Sequence, residues 1–292
     1  MTDKEIKLMA KNSNKKSVMR SPAMIIMFVV FALYALSILF VIFQGLSVSL
    51  ISSADYAKGL RFTTNGFYFA NYGEAFSKIV IEGNSLIGMT LNSLWYAGGA
   101  SFFGILFPSI TAYILSKYKF PGRNVLYVYA IVTMMLPIMG AAAASIKFYK
   151  NLGILDTNFM IPMFASSFGD TFVMLFATFK GISWEYAESA FIDGANHFTV
   201  WYKIMLPQAS STMVALFMVG FISRWSDSDT ALLYMRTHPT IASGLYRYSI
   251  RGSYNVPTLF AGFMLSMLPV LALYIAFQET IMDIQIGGGL KG

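Results

Sequence analysis

The sequence contains no cysteine, and its only histidines are His197 and His238. Disulfides, thiolate nucleophiles and cysteine-ligated metal sites are therefore excluded. Two histidines far apart in the chain also argue against a metal centre. Charge is the second shortage. Only 12% of residues are Asp, Glu, Lys or Arg, roughly half the quarter that soluble domains carry. A third absence is the phosphate-binding pattern G-x-x-x-x-G-K-[ST], so the chain has no P-loop of its own. The alternation of polar and apolar residues that marks a membrane barrel is missing as well.

What fills the space is apolar. Hydrophobic residues make up 56% of the chain. Charge-free runs extend over 21–54, 83–116, 124–146, 204–223 and 252–278. A further run, 157–179, is broken only by Asp170. Each is long enough to cross the hydrocarbon core, which needs about 18–20 residues. The expectation is an all-α integral membrane protein with six transmembrane helices. The first run, from Pro22 to about Leu46, exceeds the apolar core of a cleaved signal peptide, so it reads as a retained helix.

The net charge of +7 sits mostly in tails and loops. That distribution speaks to orientation in lipid and not to nucleic acid, so no nucleic-acid partner is expected. The basic tail 1–20 and the loop "SKYKFPGRN" predict a cytoplasmic amino terminus, and parity over six spans puts the carboxyl terminus inside too. Later loops agree less well. Lys147 and Lys150, then Arg236, Arg247 and Arg251, fall in loops assigned outside. Gly98, Gly99, Ala100 and Gly104 predict close packing along the second span, and Pro108 and Pro137 predict kinks.

One segment does not look like membrane. "SWEYAESAFIDGANHFTVWYKIMLP", residues 183–207, holds Glu185, Glu188, Asp193 and Lys203 between two apolar spans. Ser183 is placed to cap a helix beginning at Trp184. Asp193-Gly194 signals a turn. Phe198, Trp201, Tyr202 and Met205 then recur at helical spacing, and Pro207 stands near the start of the fifth span. The small residues Ala187, Ser189, Ala190, Gly194 and Ala195 predict a face bare enough for another backbone to approach. An amphipathic hairpin lying on lipid fits the same pattern.

Here the sequence resembles a family, the permease subunits of ABC importers. Their signature loop reads Glu-Ala-Ala, three residues, Gly, nine residues, Ile, one residue, Leu-Pro. This chain has Glu188-Ser189-Ala190, Gly194, Ile204 and Leu206-Pro207 at those spacings, with Ser189 as the departure. "IDGA" at 192–195, including Asp193 and Ala195, resembles the carbohydrate branch. So do "TLNSL" (90–94), "AYILSKYKFPGRN" (112–124), "NYGEAF" (71–76) and "GGGLKG" (287–292). "SRWSDSD" (223–229) departs, since the family usually has Trp-Asn where Trp225-Ser226 stands.

The resemblance implies a maltose-type permease subunit in a bacterial inner membrane, divided into a cytoplasmic tail 1–20, a permease domain 21–283 and a cytoplasmic Gly-rich tail 284–292. Loop 180–207 would be the coupling loop, docking into a cytoplasmic ATPase through Glu188, Ser189, Ala190, Asp193, Gly194, Ala195, Ile204, Leu206 and Pro207. The implied partners are a second, non-identical permease subunit, an ATPase dimer that binds ATP and Mg, an extracytoplasmic solute-binding protein and membrane lipid. The chain itself would bind no cofactor and catalyse no reaction.

Three residues are candidates for the substrate path. Trp95 and Tyr96 could stack on sugar rings or belong to an interfacial belt. Asp170 could bind substrate or a partner subunit, or form a structural pair. Arg224, Asp227 and Asp229 could close a gate through ion pairs or form a solvated helix end. Three rival functions stand beside the sugar importer: an ABC importer for another solute, such as a polyamine or phosphate; an ion-coupled secondary transporter using Asp170 and Arg224; and a non-transporting membrane scaffold whose docking hairpin recruits a partner.

Overall fold

A computed structural model describes residues 22–59, 61–62, 66–136, 140–252 and 254–287. The tail 1–20, Pro137 and most of the Gly-rich tail lie outside them, so the expectations placed there do too. The described residues are helical, with one isolated bridge between Ile81 and Asn84.

Helix α1 (Pro22–Ser49) is almost wholly apolar and exposed along most of its length, as a helix facing lipid would be. It packs on the last helix, α15 (Val256–Gly287). Short helices α2 (Ser53–Ala57) and α3 (Ala70–Lys78) follow. The central helix is α4 (Leu86–Lys117). Ser85 caps it by accepting from the Gly88 amide, and it runs through Pro108 unbroken. After Gly122, at φ 87°, come α5 (Arg123–Met135) and α6 (Ala141–Asn151). Then come α7 (Met160–Met163), α8 (Asp170–Gly181), α9 (Glu185–Ile192) and α10 (His197–Val200). A π-helical turn, Trp201–Met205, leads into α11 (Leu206–Gln208) and α12 (Ser210–Trp225). Helices α13 (Asp229–Tyr234) and α14 (Ile241–Ser249) precede α15.

Three helices among the described residues, Met24–Ser49, Leu86–Lys117 and Val256–Gln278, are long and apolar enough to cross a membrane. A fourth span is possible if His197–Gln208 and Ser210–Trp225 count together, although they meet at 73°. The runs read as the third and fourth spans are each divided between helices. The third is split between α5 and α6, the latter entered through Gly140 at φ 77°. The fourth is split between α7 and α8, the latter entered through Gly169 at φ 142°. An uncharged run therefore did not imply one helix, and in both runs the second helix begins after a glycine in a conformation that L residues avoid.

Packing gathers into a core at each end of the bundle. One joins the start of α4 to α3, α14, α15 and the end of α12, through Met89, Ile79, Leu245, Leu259 and Trp225. The other joins the end of α4 to α5, α8 and the segment 183–209. Small residues permit the approach along α4. A Cβ on Gly99 would come within 2.7 Å of Ile161, and Ala97 and Ala100 are fully buried.

Polar ties hold the first end. Asn71 is buried on α3, and its Nδ2 donates to the carbonyls of Ser49 and Ile51, each at 2.8 Å. Those carbonyls close α1 and the turn after it. Glu74 accepts from Thr258 at 3.0 Å, linking α3 to α15. Asn92 donates to the Pro239 carbonyl, and Ser93 accepts from the Ile241 amide at 2.6 Å, so part of the "TLNSL" motif anchors α14. Replacing Asn71 by Ala strands two buried carbonyls, a cost of about 1–3 kcal/mol per unpaired group. The N71A protein is expected to unfold at lower temperature in detergent, and an unchanged midpoint would contradict this tie.

Candidate functional site: a hairpin and a cavity

Residues 183–207 form the expected hairpin. Ser183 Oγ accepts from the Glu185 amide at 3.3 Å, and Glu185 and Glu188 lie in the first turn of α9, where the helix dipole favours anions. The helix ends in a Schellman motif. The Ala195 amide donates to the Ala190 carbonyl at 2.9 Å, and the Gly194 amide to Phe191 at 3.0 Å. Gly194 occupies the left-handed position at φ 82°. Asn196 then caps α10, its Oδ1 accepting from the Thr199 amide at 2.8 Å.

The inner face of the hairpin is seated on the bundle. Ala187, Val200 and Met205 are fully buried among Phe172, Leu175 and Phe179 of α8 and Tyr113 of α4. An aromatic group continues the contact. Tyr118, just past α4, packs edge-on to Trp184 and His197, and its hydroxyl lies 2.9 Å from His197 Nδ1. Lys117 donates to the Ile182 carbonyl. The outer face is a mixed surface: Ile192 is 86% exposed, beside Tyr186 and exposed Glu188, Ser189, Asp193 and Gly194. Phe198 and Tyr202 stack at 7° on the same outer side of the chain, both exposed.

Two expectations change here. The small residues do not share one bare face. Ala187 and Ala190 are buried and Ala195 is half-buried, so they let the hairpin approach its own bundle, while Ser189 and Gly194 remain outside. Pro207 does not stand at the start of the long helix of the fifth run. It sits in α11, which meets the span helix α12 at a 73° bend after the π-helical turn. The extra residue of that turn also breaks the spacing read from Phe198 to Met205, so Met205 is buried while Phe198 and Tyr202 are exposed. Ile204 and Leu206 are half-buried against the hairpin core.

The substrate-path candidates separate. Trp95 is 56% exposed and points away from the bundle, whereas Tyr96 is 2% exposed within it. Tyr96 lines a cavity of about 570 Å³ between α4, α8 and α12, which Asp170 also lines. Asp170 begins α8, at the break between α7 and α8, and is exposed. The Arg224, Asp227 and Asp229 cluster makes no ion pair among the described residues. Asp227 Oδ2 accepts from Tyr96 Oη at 3.0 Å, and its Oδ1 accepts from the Thr230 amide at 3.1 Å, capping α13. Arg224 turns back into the cavity. His238 lies 3.6 Å from Asp156, whose carboxylate also accepts from the Thr237 amide. That pairing spans separate loops and left no local signal in the sequence.

With this geometry established, comparison with known proteins assigns the family. Residues 104–282, more than half of the chain, match the family described as "Binding-protein-dependent transport system inner membrane component". The chain belongs to that family. Its relatives include the diacetylchitobiose uptake system permease protein NgcG of Streptomyces coelicolor, 26% identical over 65% of either chain. The match thus spans just under two thirds of that relative. Another is the trehalose transport system permease protein SugB of Mycobacterium tuberculosis, 24% identical over 73% of this chain and 80% of that one. Among solved structures, a bacterial ABC transporter involved in import of the acidic polysaccharide alginate superposes with TM-score 0.73 at 23% identity. It covers 87% of this chain and 95% of that one, and the likeness is one of fold.

The caps make a local prediction. Replacing Asn196 by Ala removes the cap of α10, worth about 0.5–2 kcal/mol. Hydrogen exchange at residues 197–205 should accelerate while that of α4 stays unchanged. Equal protection in N196A and wild type would show that the cap does not hold this turn.

Proposed function

We propose that this chain is the permease subunit of a bacterial ABC importer for oligosaccharides, and that hairpin 183–207 is its coupling element. The observation that carries the reading is the two-faced hairpin in a family member. One side is fixed to helices α4 and α8, and the other leaves Ile192, Glu188, Asp193 and Ser189 exposed. Because the chain has no P-loop, the nucleotide is bound elsewhere. An ATPase dimer holding ATP and Mg fits that requirement. The uptake of oligosaccharides named for the relatives supports sugar as the cargo.

In this reading the chain crosses the membrane six times with both termini inside. Pairs α5–α6 and α7–α8 complete the third and fourth crossings, and α11–α12 the fifth. Six crossings with one hairpin make half of a pore, so a second, non-identical permease subunit completes it. An extracytoplasmic solute-binding protein delivers the sugar. Closure of the ATPase dimer displaces the hairpin, and the shared core carries that displacement to α4 and α8.

Gly194 supplies the test. A β-branched side chain at φ 82° is strained by about 1–3 kcal/mol and would also bulge from the outer face. The G194V complex in proteoliposomes with internal ATP should lose more than about nine-tenths of sugar uptake, in keeping with a tenfold change per 1.4 kcal/mol. Stimulation of ATP hydrolysis by the binding protein should fall in parallel. Wild-type uptake together with wild-type stimulation would refute the coupling role. Wild-type uptake should also persist when proton and sodium gradients are dissipated, and abolition by that treatment would favour an ion-coupled carrier.

A further inference from the structure

The cavity between α4, α8 and α12 carries a guanidinium for which the helices leave dedicated space. A Cβ on Gly104 of α4 would stand 3.0 Å from Arg224 Nη2, and one on Gly220 of α12 would stand 2.9 Å from Nη1. Nη1 reaches the Gly220 carbonyl at 3.3 Å and Ser101 Oγ at 3.4 Å. Nη2 has no hydrogen-bond partner among the described residues, and Arg224 faces the cavity. A cation inside a membrane bundle is costly and marks function more often than packing. Arg224 lies in the last turn of α12, where the helix dipole favours a cation, and the glycines on the two facing helices leave room for its guanidinium in this position.

The other charged groups lining the cavity are Asp170 and Asp227. Both oxygens of Asp227 are engaged, by Tyr96 and by the Thr230 amide. Asp170 has no hydrogen-bond partner among the described residues and sits in the first turn of α8. One guanidinium against two carboxylates leaves the cavity with one excess negative charge. Phe164, edge-on to Tyr96 at 5.5 Å, contributes an aromatic wall. We propose that this cavity is a sugar-reading site within this subunit, in which Arg224 donates to and Asp170 accepts from the hydroxyls of an uncharged sugar, and that Asp170 excludes uronates.

The inference rests on the oligosaccharide reading and gives it a substrate class. A hydroxyl donates and accepts at once, so it satisfies both a free N–H and a free carboxylate oxygen. A uronate carboxylate placed at Asp170 would meet like charge, and it brings no donor proton for that carboxylate to accept.

The test is direct binding to the permease–ATPase complex in nanodiscs without binding protein. Saturation-transfer NMR would use trehalose, diacetylchitobiose and arabinotriose as neutral probes and trimannuronate as the acidic one. Wild type should transfer saturation to at least one neutral sugar and about tenfold less to trimannuronate, a tenfold ratio being modest for a charge–charge difference. The exposed, near-isosteric Asp170→Asn should abolish that discrimination, and Arg224→Gln should weaken the neutral signal. Arg224→Lys, which keeps the charge, should restore part of it. Assembly of each variant is checked by co-purification of the ATPase. Equal signals from neutral and acidic probes in wild type, no signal from any probe, or no change in D170N and R224Q would each overturn the assignment. ATP-driven oligosaccharide uptake by the same complex, assayed in parallel, separates the two levels. Its persistence leaves the importer reading intact when the site fails, and its absence removes both.

Discussion

The structure depends on one packing contact, the seating of hairpin 183–207 on the end of the helix bundle. Ala187, Val200 and Met205 are buried against Phe172, Leu175, Phe179 and Tyr113. Interiors packed at that density are stiff and transmit displacement. A force applied to the outer face of α9 therefore reaches α4 and α8 through side chains already in contact. Of the small residues that make the seating possible, Ala190 falls within the Glu188-Ser189-Ala190 pattern and Ala187 just precedes it. Both serve the chain's own core, and the outer face is built from Glu188, Ser189, Ile192 and Asp193.

The same helices that receive the hairpin also bound the polar cavity. α4 contributes Tyr96, Ser101 and Gly104, and α8 contributes Asp170 at its first residue. Displacement of α8 relative to α4 would therefore alter both the hairpin seat and the cavity wall. Helices α4 and α8 are common to both features.

Much of this was legible in the sequence, for definable reasons. Hydropathy located α1, α4 and α15, because lipid demands continuous apolar helices. The hairpin was legible because turn chemistry is local: Ser183, Asp193-Gly194 and the Glu residues near the α9 start act within a few residues of themselves. What failed was conformational. Gly140 and Gly169 stand at breaks in runs that composition alone joins, and a π-helical turn after Val200 shifts the register that carried the second hairpin face. Nor could spacing tell that Trp95 turns outward while its neighbour Tyr96 turns inward to Asp227. The pairing of Asp156 with Thr237 and His238, and the cradle of Arg224 between Gly104 and Gly220, join residues far apart in the chain. Their partners become visible only once the helices are packed.

The chain's lack of cysteine makes the decisive measurement simple. A single Ile192→Cys places a unique thiol at a position of the hairpin that is 86% exposed. In intact cells it should resist a membrane-impermeant maleimide and react only after the membrane is opened. In the assembled complex a short bifunctional reagent should join it to the ATP-hydrolysing subunit. Labelling of the thiol from outside intact cells, or its failure to cross-link to any ATPase in an active complex, would contradict the account.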